Sequence, residues 1–287
     1  MNGQSPKCRA PSISSLAMGR TTFEDIWDEY LELEADEKPK FLYDASVTLR
    51  EQGNETAQLA VLYQAIEDAF EVGDSQTAAN ATAELSKHLV DAKEYNEATV
   101  VISGSIDRLS PWQSFELGIS YRCLGWSYLA LGDNLRHEEC LKLAIAHFDS
   151  CDQPAWSYPL RNEVGEVLLS RDDWSSLADV LSVGQSQNEE LVAPIAKRVR
   201  EYLLGRLALH QHNLQLAIKH LLGSVLGLEP ESHRLFQEAL DSLSWAIQRS
   251  GEGVSELLDF YESELGIQPD VRAKLARKLL GGSTLFL

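Results

Sequence analysis

His137, Cys140, His147 and Cys151 fall with Ala144 on one stripe, at spacings of three and four residues. On a helix, His147 and Cys151 at i and i+4 would present an imidazole and a thiol on the same face. Such a pair can chelate a transition metal. The competing role is packing. A stripe that also holds Ala144 reads as a core stripe, and a buried cysteine behaves as a small hydrophobe. Packing is therefore the expected use. His210 and His212 bracket a turn, and two ligands alone do not make a metal site. The chain has no GxSxG, HExxH, P-loop or GxGxxG arrangement. Its many helix-borne carboxylates read as a solvated face. Neither catalysis nor a cofactor is expected.

The elements that position these residues are helices. Phe23, Ile26, Trp27, Tyr30 and Leu31 follow i, i+3, i+4, i+7, i+8 spacing, with acids on the opposite face. Thr21 or Thr22 is the expected N-cap, and Glu24 and Asp25 suit the positive end of the helix dipole. The aromatic stripe of this segment is expected to be core, with docking of a basic partner as the alternative. The helical pattern continues through fourteen segments, from 22–35, 38–52, 55–72 and 75–91 to 231–250, 253–265 and 269–280. Gly53-Asn54, Gly73-Asp74, Ser110-Pro111, Gly132-Asp133, Asp172-Asp173, Glu229-Pro230, Gly251 and Gln268-Pro269 break it. Glycine closes a helix at positive φ, and the Asp or Asn that follows caps the next one. Val100-Val101-Ile102 is the nearest approach to a strand, but it continues a helical pattern from Tyr95. An all-α chain without a sheet is expected.

An internal repeat organises these helices. Leu85-Ser86, Leu124-Gly125, Val164-Gly165 and Leu204-Gly205 are spaced by 39, 40 and 40 residues. Eight residues after the second member of each pair stands Glu94, Asp133, Asp173 or Asn213. Ala98, His137, Leu177 and Ala217 come next, then Ile102, Leu141, Leu181 and Leu221. The small residue lets two backbones approach, and the large ones fill the gap, as in a helical hairpin.

Tyr121, Leu124, Gly125, Tyr128, Gly132-Asp133, Leu141 and Ala144 carry a resemblance to the tetratricopeptide repeat family. Lys93-Glu94-Tyr95-Asn96-Glu97-Ala98 and Leu204-Gly205, Ala217 and Leu221 are weaker copies. The period is near 40 rather than about 34, and His137 stands where a small residue is usual. The resemblance implies a right-handed α-solenoid of helical hairpins over residues 21–280, clearest at 75–230. It implies a binding scaffold whose first helices line a concave surface. Equivalent first-helix positions then give Arg122, Asn162 and Tyr202, next Trp126, Glu166 and Arg206, and finally His210. Arg, Trp and Tyr dominate binding hot spots, and an Arg can grip a carboxylate or phosphate. The alternative for the set is ordinary solvated or inter-hairpin positions.

The net charge of −19 argues against nucleic acid or an anionic membrane as a direct partner. No apolar run reaches the roughly 18 residues of a membrane span. The acid is concentrated in residues 24–100, which carry 19 acids and 5 bases. The last helix is locally basic, with Arg272, Lys274, Arg277 and Lys278. A basic protein or peptide partner is expected, as is homo-oligomerisation through the oppositely charged ends. Four cysteines without a CxxC pair fit a reducing, cytoplasmic setting. Residues 1–20 lack acids, are rich in Ser and hold Pro6 and Pro11, so disorder is expected there. A transit peptide, or translation from Met18, are alternatives for this segment. The tail 281–287 ends in Leu285-Phe286-Leu287, which would dock in cis or in another chain. Two functional alternatives stand beside the scaffold: a peptide-sensing regulator acting through a partner, and an acidic decoy of a nucleic-acid-binding protein.

Overall fold

A computed structural model describes residues 22–109, 114–182, 192–228, 234–265 and 267–281. The expected disordered segment 1–20, the breaks at Ser110-Pro111 and Glu229-Pro230, and the tail beyond Gly281 lie outside the described residues. Fourteen helices are found among those residues, with no strand. They are α1 (Phe23–Glu32), α2 (Lys38–Glu51), α3 (Glu55–Val72), α4 (Ser75–Asp91), α5 (Tyr95–Ile106), α6 (Ser114–Ala130) and α7 (Asn134–Ser150). There follow α8 (Pro154–Ser170), α9 (Trp174–Ser182), α10 (Pro194–His210), α11 (Leu214–Gly227), α12 (Leu235–Ser250), α13 (Val254–Leu265) and α14 (Pro269–Gly281).

Left-handed residues close many of the helices. Gly73 and Asp152 do so before α4 and α8. Gly53, Lys93, Gly132, Asp172, His212 and Gly251, with φ between 57° and 84°, do so before α3, α5, α7, α9, α11 and α13. They recur at intervals of 39 or 40 residues. At the first five, the next residue donates its backbone N–H back across the turn: Asn54 to Leu49, Glu94 to Leu89, Asp133 to Tyr128, Asp173 to Leu168, and Asn213 to Ala208, each 2.9–3.0 Å. The left-handed residue itself donates to the carbonyl three positions back, at 3.0–3.1 Å. This is a Schellman closure. The residue that completes it also starts the next helix. Asn54, Asp133, Asp173 and Asn213 each accept the N–H three residues on through the side chain. Orphan carbonyls of one helix and orphan amides of the next are thus satisfied within a few residues. At α1 the cap is Thr22, in a reciprocal box with Asp25.

The chain divides into two compact units, Met1–Cys140 and Leu141–Leu287, with the boundary inside α7. In the first, α2, α3, α4, α5 and α6 pack in sequence order, and α2 also meets α4 as α4 meets α6. In the second, α8 to α12 repeat that scheme, with α10 touching both α8 and α12. Each unit therefore has a layer of even-numbered helices backed by odd-numbered ones. The repeat residues lie between the layers. Ser86, Gly125, Gly165 and Gly205 are buried, as are Ala98, His137, Leu177 and Ala217 and the large residues Ile102, Leu141, Leu181 and Leu221. The glycines are tight. A Cβ on Gly165 would lie 2.8 Å from Leu203 Cδ1, and one on Gly205 would lie 2.6 Å from Leu221 Cγ.

Gly205→Ala should therefore destabilise the fold by about 1–3 kcal/mol through overpacking. Gly104→Ala, on an exposed stretch of α5 with nothing near its Cβ, should instead raise stability by about 0.5–1 kcal/mol. Urea unfolding of the two variants checks this, and equal effects would contradict the packing account.

Candidate functional site

The first-helix positions singled out by the repeat fall on the even-numbered helices. In the first unit, Arg122 and Trp126 are one turn apart on α6 and half-buried, with the guanidinium 4.7 Å from the ring centroid. On neighbouring α4, Lys87 Nζ lies 2.7 Å from Glu84 Oε1, and Arg50 of α2 reaches Glu84 Oε2 at 3.1 Å. A cavity of about 410 Å³ opens beside them. Arg50, Glu55, Gln58, Glu84, Lys87, His88 and Asp91 line it, a mixed-charge wall.

In the second unit, three of the expected residues come together. Glu166 of α8 pairs with Arg234, just ahead of α12. The Tyr202 hydroxyl of α10 donates to Glu238 Oε2 of α12 at 2.7 Å, and Arg206 Nη1 donates to the Tyr202 oxygen at 2.8 Å. Burial raises the Glu166 carboxyl above its ordinary range, and the Arg234 charge partly opposes this. Glu166, Tyr202, Arg206, Arg234 and Glu238 make one polar row across three even-numbered helices.

The other expected residues have different surroundings. Asn162 is 3% exposed, and its Nδ2 donates to the Ala196 carbonyl of α10 at 2.7 Å. It stitches α8 to α10 and does not face an open groove. Tyr202 is 1% exposed, so its ring is core and only its hydroxyl serves the row. His210 stacks on Trp174 of α9, with centroids 4.4 Å apart and an interplanar angle of 5°. Arg234 and Glu238 escaped the sequence reading. The 40-residue register maps Glu166 to Arg206 and then to Ala246, and gives no hint of a partner twelve positions earlier.

The stripe on α7 is engaged with the fold. His137 is 1% exposed, and its Nδ1 lies 3.0 Å from the Gly125 carbonyl. Burial pushes the Cys140 thiol, and likewise that of Cys123 on α6, up to about 11. Both stay protonated at neutral pH, as buried structural cysteines do. Among the described residues no group of three or more His, Cys, Asp or Glu side chains is placed to hold a metal ion. No helix among them is long and apolar enough to cross a membrane. Of the apolar stripe of α1, Ile26 is fully buried, Phe23, Trp27 and Tyr30 are half-buried and pack edge-to-face, and Leu31 is exposed; Tyr30 donates to Asp68 Oδ2 at 2.9 Å.

No protein-family model matches the chain, and no curated protein matches it significantly.

The Tyr202 hydroxyl has a titration consequence. Burial and, next, the bond to Glu238 push it up to about 12. An unfolded tyrosine titrates near 10. The folded state holds this proton more tightly, so the stabilisation is complete below about pH 10 and lost as pH rises towards 12. Tyr202→Phe should cost about 1–2 kcal/mol at neutral pH and should flatten the loss of stability between pH 10 and 12. Urea unfolding across that range checks both. An unchanged slope would show that the hydroxyl is not coupled to folding.

Proposed function

We propose that this chain is a non-catalytic, tetratricopeptide-like scaffold that binds protein or peptide along its even-numbered helices. On this reading the helical hairpins form a right-handed solenoid with a period near 40. The recurrence of left-handed turn residues every 39 or 40 positions supports the period. The observation that carries the functional reading is the composition of the even-helix layer. In each unit it gathers Arg, aromatic and carboxylate side chains from neighbouring hairpins: Arg50, Glu84, Lys87, Arg122 and Trp126 in one, and Glu166, Arg206, Arg234 and Glu238 in the other. Residues of these types on rigid, adjacent helices suit recognition of an extended or helical peptide.

A basic partner fits the charge. Glu24, Asp25, Asp28, Glu32, Glu34, Asp36 and Glu37 are all exposed on and just after α1. Their field would speed encounter with a cationic surface, while Arg122 and Trp126 would supply anchoring contacts. The decoy reading draws on the same exposed acids, and salt separates the two. An interface resting on the acidic face should weaken steeply between 50 mM and 500 mM salt, and one resting on the helix layer much less.

Arg122→Ala combined with Trp126→Ala should leave the helical circular dichroism unchanged. The variant should bind the partner captured from native cells at least about tenfold more weakly, as expected for loss of an Arg and an aromatic anchor. Calorimetry with the purified partner checks this, and unchanged affinity would remove the even-helix layer as the binding face.

A further inference from the structure

One cavity stands apart from the even-helix row by its charge. It measures about 340 Å³ and is lined by Tyr158 of α8, by Pro194, Lys197, Arg198, Arg200, Glu201 and Leu204 of α10, and by His220 of α11. In a chain of net charge −19, Lys197, Arg198, Arg200 and the His220 imidazole converge here, with Glu201 the one carboxylate among the described lining residues. That carboxylate is already engaged, since Glu201 Oε2 lies 2.8 Å from His220 Nδ1. Lys197 and Arg198 have no salt-bridge partner among the described residues.

The support of Arg198 also points to an anion. Its Nη1 donates to the Gly223 carbonyl of α11 at 3.2 Å, and a Cβ on Gly227 would lie 2.2 Å from its Nε. The helix gives up a side chain at Gly227, and the guanidinium is seated there. Arg200, 4% exposed, is held by the Leu181 carbonyl with its guanidinium 5.0 Å from the Tyr158 ring.

We infer that this cavity binds the phosphate group of a small phosphorylated molecule. Lys197 and Arg198 beside a space of a few hundred cubic ångströms suit a group with two negative charges, and arginine matches its oxygens in a fork. A monocarboxylate would bring one charge to the two cations. The site uses α8, α10 and α11 and stands independently of the partner-binding reading.

Calorimetric titration of the full-length protein with inorganic pyrophosphate at 50 mM salt tests this, with citrate as the carboxylate probe. The expected result is saturable pyrophosphate binding with a millimolar or tighter Kd, and weaker binding of citrate. Lys197→Gln and Arg198→Gln should each weaken pyrophosphate about tenfold or more. Gly227→Ala, which removes no charge but pushes the flexible Arg198 side chain off its seat, should also weaken it. Arg108→Gln, at an exposed cation of the first unit, should have no effect. Three results would overturn the proposal: no saturable binding, binding equally lowered by Arg108→Gln, or citrate bound in preference to pyrophosphate. Since Lys197 is at the cavity edge and half-buried, its variant remains informative even if Arg198→Gln fails to fold.

Discussion

Each hairpin depends on how its two helices exchange backbone hydrogen bonds at the turn. A helix end leaves several carbonyls without partners, and a helix start leaves several amides. Here one left-handed residue closes the first helix, and its neighbour both completes that closure and caps the second. Only three residues, Leu131 to Asp133, separate α6 from α7. Such a short link leaves the second helix little choice but to run back against the first. Glycine fills the left-handed position at Gly53, Gly132 and Gly251, but Lys93, Asp172 and His212 fill it in the other turns. An L-residue there costs on the order of 1 kcal/mol. The hydrogen bonds at those turns are the same as at Gly53 and Gly132, so the closure outweighs the strain.

Once the turn sets the register, the same depth along each helix meets the same depth on its neighbour. This is why a small residue recurs at one first-helix position. Gly165 and Gly205 face leucines so closely that no Cβ fits without a shift. The α6–α7 turn solves the problem differently. His137 occupies the second-helix position filled elsewhere by Ala98, Leu177 or Ala217. It remains buried because its Nδ1 can donate to the Gly125 carbonyl. A buried imidazole without such a bond would bear a desolvation cost. The residue that breaks the repeat pattern is thus tied to the small residue that defines it.

Helix positions and turns were legible in the sequence because both arise from local chemistry. The Gly-Asp, Asp-Asp and similar pairs marked the breaks, and Thr22 was one of the two threonines expected as a cap. Apolar periodicity placed Ile26 of α1 correctly in the core but not Leu31, which the helix leaves exposed. The polar row was only half legible. The 40-residue register placed Glu166, Tyr202 and Arg206 on the right helices, but Arg234, the partner of Glu166, comes from just ahead of α12, four helices further along, and Glu238, the partner of Tyr202, from α12 itself. Pairing at that distance depends on packing geometry, which periodicity does not encode. Burial was the other blind spot. Asn162 and Tyr202 have the residue types of binding anchors, yet the α8–α10–α12 contacts absorb them, because an amide and a phenol can also satisfy carbonyls and carboxylates inside a fold.

Charge satisfaction separates the two polar arrangements of the second unit. In the row on α8, α10 and α12, each formal charge already has an opposite or hydrogen-bonding neighbour. A ligand binding there must replace Arg234 on Glu166, or Glu238 on Tyr202, and part of its interaction energy is spent on that exchange. Such a surface favours specificity over affinity, because a poor match leaves half-buried charges unpaired. The cavity beside α10 and α11 has the opposite character. Lys197 and Arg198 carry charges that no described carboxylate neutralises, and their repulsion is a standing cost of the folded state. An anion entering that space displaces no intramolecular pair, so its charge acts in full. The row therefore constrains which surface can dock, while the cavity leaves a local excess of positive charge in a chain that is otherwise strongly acidic.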